Sequence, residues 1–124
     1  PIGGYLLLGA KMLKNHKFDE AWNFGPEKEN TVTVRELLDK TITEYGMGEW
    51  RDVSDSEKLH EANTLSLNIS KAKAELNWRP VLTLDETIKY TVDWYKKYKS
   101  ENVFDLCNNQ IEEYSNKWKL KSES

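Results

Sequence analysis

Apolar residues along the chain fall into runs of two different periods. In residues 5–15, Tyr5, Leu6, Leu7, Leu8, Ala10, Met12 and Leu13 leave almost no polar side, the pattern of a helix buried on more than one side. Gly3-Gly4 lead into it with no Ser, Thr, Asp or Asn cap. Residues 20–24 (Glu-Ala-Trp-Asn-Phe) are short, aromatic and closed by Gly25-Pro26, which predicts a strand ending in a turn. Thr33-Val34-Arg35-Glu36 is a capping box, after which Val34, Leu37, Leu38, Ile42 and Tyr45 recur at helical spacing until Gly46 stops them. Trp50 to Val53 reads as a brief strand and residues 54–61 as a polar loop. Leu65, Leu67 and Ile69 then alternate with Thr64, Ser66 and Asn68, the period of a half-buried strand.

The second half of the chain is helical in period. Ser70 is placed to cap a short helix over 71–76, which Asn77-Trp78-Arg79-Pro80 closes. A second capping box, Thr83-Leu84-Asp85-Glu86, opens what the pattern makes the longest helix, with Leu84, Ile88, Val92 and Tyr95 on one face and Trp94 and Tyr98 beside them. Its acids stand at the start and Lys96, Lys97 and Lys99 at the end, the order the helix dipole favours. Cys107, Ile111, Tyr114 and Trp118 follow at spacings of four, three and four, predicting an amphipathic helix over 108–119 that docks on the rest of the chain. A first strand lying between two helices is the order that βαβ-type sheets use, so the pattern predicts an α/β fold, mostly helical with a few short strands.

Composition narrows the partners. With 124 residues the chain is one domain at most, or part of one, and five Trp, six Tyr and three Phe supply a core. Eighteen basic against 21 acidic side chains give a net charge of −3, a field that attracts neither nucleic acid nor an anionic membrane. The longest apolar run, Tyr5 to Ala10, is too short to cross a bilayer and lacks the basic start of a signal peptide. The lone Cys107 forms no internal disulfide, which fits a reducing, cytoplasmic setting, and it reads as a packed side chain.

The motifs of common catalytic sites are missing. The sequence holds no Gly-x-Gly-x-x-Gly turn, no Walker loop, no His-Glu-x-x-His and no cysteine pair for zinc. His16 lies in a polar loop and reads as solvated. His60 follows the acidic run of Asp52, Asp55 and Glu57 and precedes Glu61, so a carboxylate and an imidazole can present donor and acceptor to one ligand, although a plain loop histidine has the same spacing. Asp85-Glu86 and Glu112-Glu113 read as helix-surface charges, and Arg79 beside Trp78 can make a cation–π or phosphate contact, although a plain surface arginine has the same spacing.

Several segments resemble one family. Gly4-Tyr5-Leu6-Leu7-Leu8-Gly9, Glu20-Ala21-Trp22-Asn23-Phe24-Gly25-Pro26, His60-Glu61-Ala62, the block from Ser70-Lys71-Ala72 to Leu76-Asn77-Trp78-Arg79-Pro80 with Leu84-Asp85-Glu86-Thr87, and Gln110-Ile111-Glu112-Glu113-Tyr114 look like the C-terminal third of the CDP-glucose 4,6-dehydratases. The Ser-Lys-Ala to Glu-Thr block is shared by extended short-chain dehydrogenase/reductases acting on nucleotide sugars. The Ala-Trp-Asn-Phe-Gly-Pro and His-Glu-Ala segments point to the CDP-glucose branch. Two positions depart: Asn77 stands where the superfamily often has glycine, and Asn68 where it often has aspartate.

The resemblance implies an extended Rossmann-type fold of which residues 1–31 are the last helix and strand of an NAD-binding domain. Residues 32–104 would be the nucleotide-sugar-binding domain and 105–124 a C-terminal amphipathic helix. It places the NAD-binding turn and the Tyr-x-x-x-Lys pair upstream of these residues, so no catalytic, cofactor-binding or metal-ligating residue is expected here and the chain is expected to be inactive alone. The parent oxidises C4 of the hexose with bound NAD, eliminates water across C5 and C6 and returns the hydride to C6, giving CDP-4-keto-6-deoxy-glucose, and is expected to be a homo-oligomer. By the resemblance the substrate-binding residues are Lys58, His60 and Glu61, a basic and acidic set for pyrophosphate and ribose hydroxyls. Two other readings stand beside it: a UDP- or dTDP-sugar epimerase or dehydratase, and a stand-alone non-enzymatic binding module.

Overall fold

The computed structural model describes residues 1–53 and 66–122. Among them are five α-helices, α1 (Ile2–Met12), α2 (Val34–Tyr45), α3 (Ser70–Glu75), α4 (Leu84–Lys97) and α5 (Val103–Ser122), two single 3-10 turns, and no β-strand. The α/β, Rossmann-type expectation is therefore overturned for the described residues. The described chain divides into two compact units, residues 1–31 with 66–80, and residues 32–53 with 81–122.

In the first unit the segments expected as strands do lie beside one another, but without a ladder. The Asn23 side-chain amide donates to the Asn68 carbonyl at 3.4 Å, and Gly25 packs against Leu67 and Ile69. No backbone hydrogen bond joins the two segments among the described residues. Two isolated extended segments without a third are marginal as a sheet, which is why alternation alone did not produce strands. Phe18, Phe24, Ile69, Ala72, Leu76 and Trp78 form the buried core, with Phe24 set edge-on to Trp78 (4.9 Å between ring centres, 87°) and to Tyr5 (5.3 Å, 88°).

The helix expected to be buried on more than one side buries one residue, Gly4, against the Phe24 ring. Leu6 and Leu13 are 71% and 91% exposed, and Ile2 and Tyr5 are also open to solvent. Pro1 stands at the N-cap of α1 and makes no side-chain capping bond.

Helix α3 starts one residue earlier than expected and is not capped by Ser70. Asn68 supplies the acceptor instead, its Oδ1 taking the Ser70 N–H at 2.9 Å. An aspartate would offer the same oxygen, so the Asn68 departure keeps the geometry. Asn77 ends the helix at φ +54°, the one non-glycine residue with positive φ among those described, and turns the chain so that the Trp78 N–H reaches the Ala72 carbonyl at 3.0 Å. Glycine takes this left-handed conformation freely, and asparagine better than most other residues, which accounts for the second departure. Asn77→Gly is accordingly expected to change stability by less than about 0.5 kcal/mol, whereas Asn77→Ala should lose about 1 kcal/mol. Urea unfolding of both variants checks the order; equal midpoints would mean that the left-handed turn is not strained by a Cβ.

In the second unit the starts of α2 and α4 are as expected, while Val34, Tyr95 and Ile111, placed on apolar faces by their spacing, are exposed. Both capping boxes are reciprocal: Thr33 accepts from the Glu36 N–H and Thr83 from the Glu86 N–H, each glutamate returning to the cap N–H at 2.8 Å. Gly46 closes α2 at φ +83°. Helix α2 packs along α4, and α4 along α5, over buried Val81, Ile88, Val92 and Leu106. At 20 residues α5 is the longest helix rather than α4, because it begins before the apolar repeat: Asn102 Oδ1 accepts the Phe104 N–H at 2.9 Å and starts it early.

Polar bonds bind the three helices of this unit. Lys40 reaches Asp85 (2.6 Å), Lys96 donates to the Glu44 carbonyl (3.0 Å), Tyr90 donates to Glu113 (2.7 Å), and Lys117 pairs with Glu86 (2.5 Å). The Glu113 carboxylate pushes the Tyr90 phenol up to about 12. The Lys117 ammonium, then the cap N–H and hydroxyl of Thr83, hold Glu86 down at about 2 against an ordinary 4.5. A carboxyl depressed in the folded state stabilises it above the unfolded value, so this contribution is complete above about pH 4.5 and is lost as pH falls toward 2. With Glu86 about a third exposed, Glu86→Gln is expected to cost about 1 kcal/mol at pH 7 and almost nothing near pH 2. Urea unfolding at both pH values tests it; a deficit independent of pH would assign the loss to the cap hydrogen bond alone.

Candidate functional site

Lys58, His60 and Glu61 lie outside the described residues. What the structure does place is the chain on either side of them. Before the segment, in the second unit, Trp50 donates its indole N–H to Asp39 Oδ1 of α2 at 2.9 Å. The Arg35 guanidinium lies 4.9 Å above the Trp50 ring and 3.8 Å from Asp52. The brief strand expected over 50–53 is thus an irregular stretch fastened to α2 by side chains. After the segment, in the first unit, Asn68 is held by the Asn23 amide and itself caps α3.

The Ser-Lys-Ala block owes its local shape to its lysines. Lys71 Nζ pairs with the Glu20 carboxylate, donates to the Ala21 carbonyl at 3.2 Å and sits 4.3 Å over the Trp22 ring. Trp22 is fixed in turn by its indole N–H on the Phe18 carbonyl (3.0 Å), and Lys73 pairs with Glu27 at 3.0 Å. The lysine contacts span about 50 positions of sequence, and no local pattern announces them. Both ammonium groups thus make structural contacts. Lys71→Ala, which removes an ion pair, a carbonyl contact and a cation–π contact together, is expected to lower the urea midpoint by the equivalent of about 1–2 kcal/mol. An unchanged midpoint would show that the cluster is solvated in solution.

The remaining candidates are placed as follows. His16 is 96% exposed and bonded through Nδ1 to Asp19 at 3.0 Å, as a solvated loop residue would be. Cys107 is a free, half-buried thiol. Arg79 is exposed, and no cation–π contact joins it to Trp78 among the described residues. The sequence does contain one Tyr-x-x-x-Lys spacing, Tyr95 to Lys99, but α4 ends at Lys97 and the Lys99 ammonium lies over the Tyr98 ring, 5.5 Å from its centre. Among the described residues no group of three His, Cys, Asp or Glu side chains is placed to hold a metal ion. None of the described helices is long and apolar enough to cross a membrane.

Two open depressions mark the surface. One, about 290 Å³, is lined by Tyr90, Thr91, Trp94, Tyr95 and Gln110, and the other, about 590 Å³, by Gly9, Met12, Leu13, His16 and Asp19. In the first, the Thr91 hydroxyl donates to the Thr87 carbonyl, the Gln110 amide to the Tyr90 carbonyl and the Tyr90 hydroxyl to Glu113.

No family model matches the chain. It is 33% identical over 116 residues, 92% of its own length, to the CDP-glucose 4,6-dehydratase of Salmonella typhimurium. The resemblance carried by the separate motifs therefore extends through nearly the whole chain. The chain spans about a third of that relative, 32% of its length.

Proposed function

We propose that these residues are the nucleotide-sugar-binding, C-terminal portion of an NAD-dependent CDP-glucose 4,6-dehydratase, which converts CDP-glucose to CDP-4-keto-6-deoxy-glucose and water. The observation that carries the reading is the match to a CDP-glucose 4,6-dehydratase over 116 residues. The retained geometry at the two departures, Asn68 and Asn77, supports it, since both substitutions keep the local fold that the motif requires.

Within this reading residues 1–31 associate with an NAD-binding domain, residues 32–104 bind the nucleotide sugar, and residues 105–124 form the terminal helix. The open apolar face of α1, with Leu6 and Leu13 exposed, supports an association of the first part with further polypeptide. The described residues do not themselves fit a dinucleotide. Gly9, within α1, and Gly46 and Gly48, after α2, have open space around an added Cβ, and none of these three stands at a turn into a helix N-terminus. The resemblance puts the NAD-binding turn in another part of the proposed protein, and no step through it is assigned to these side chains.

The chemistry left to this chain is recognition. Lys58 and His60 meet the pyrophosphate, charge against charge, and Glu61 accepts hydrogen bonds from the ribose hydroxyls. Calorimetric titration of the chain with CDP, UDP and dTDP tests this. CDP is expected to bind most tightly, and Lys58→Ala and Glu61→Gln each to weaken it about tenfold or more, the value of one charge-assisted hydrogen bond. Preference for UDP or dTDP would move the protein to another nucleotide-sugar branch. Binding of none of the three would remove the substrate-binding role. Incubation with CDP-glucose and NAD is expected to give no 4-keto product, and its appearance would contradict the assignment of catalysis to a separate part of the protein.

A further inference from the structure

We draw no further inference here: the strongest candidate, the open aromatic depression that Tyr90, Thr91, Trp94, Tyr95 and Gln110 form between α4 and α5, is an unpartnered face in which the Tyr90, Thr91 and Gln110 side chains are already donating within the protein, and nothing in the structure shows what covers it.

Discussion

Trp78→Ala is expected to destabilise the chain by about 3–5 kcal/mol, a large fraction of the 5–15 kcal/mol by which an ordinary domain is stable. Trp78 is 1% exposed and is the largest fully buried side chain. Its ring meets Phe24 edge-on, and the backbone that carries it is pinned by the Ala72 carbonyl, so little can collapse into the space its removal would leave. Trp78→Phe separates packing from polarity. The indole N–H is buried without a hydrogen-bond partner, a defect that costs about 1–3 kcal/mol. Phenylalanine loses part of the ring but also removes that defect, so the variant should stay within about 1 kcal/mol of the parent. Urea unfolding followed by circular dichroism reads both. A Phe variant as unstable as the Ala variant would mean that the N–H has found an acceptor in solution.

The helices were legible because their signals are local. A capping box is written within four residues, and both Thr33-Glu36 and Thr83-Glu86 close as their sequences predict. Gly46 needs only its own freedom at positive φ to end α2. The start of α5 could have been read from Asn102 and Asp105, a cap and a first-turn acid, but the apolar repeat from Cys107 onward drew the boundary too late. That the same helix docks was legible from its apolar repeat, but the face was not: Ile111 is 60% exposed, and buried Leu106 with Gln110, Glu113 and Lys117, one position round the helix, fasten it to α4.

The strands were not legible, for the opposite reason. Alternation shows only that one side of a segment suits burial, and of the described apolar positions Ile69 is buried while Leu67 is 48% exposed. Whether such a segment joins a sheet depends on neighbours far away in sequence, which period two does not report. The side chains that shape the flanks of the candidate site are equally non-local: Trp50 with Asp39, Arg35 with Trp50, Lys71 with Glu20. Their pairing follows from the fold and leaves no trace in spacing. The candidate site rests on resemblance alone, His60-Glu61-Ala62 with Lys58 ahead of it, and falls outside the described residues.

Two glycines in one helix should respond to alanine with opposite signs. In a helix interior Gly→Ala normally gains up to about 1 kcal/mol, because alanine restricts the unfolded chain and suits the helix. Gly9→Ala should show that gain, since a Cβ there meets nothing within 4 Å. At Gly4 the same Cβ would stand 2.3 Å from Phe24 Cδ1 and 2.6 Å from Cε1. The Phe24 ring has no free direction to yield, being set against Tyr5 on one side and Trp78 on the other. Gly4→Ala is therefore expected to lose about 1–3 kcal/mol, the usual cost of overpacking a filled core. Thermal or urea unfolding of the two variants in parallel decides it. A stabilised Gly4→Ala would show that α1 rides freely over Phe24 and that the close approach of helix to ring does not hold the first unit together.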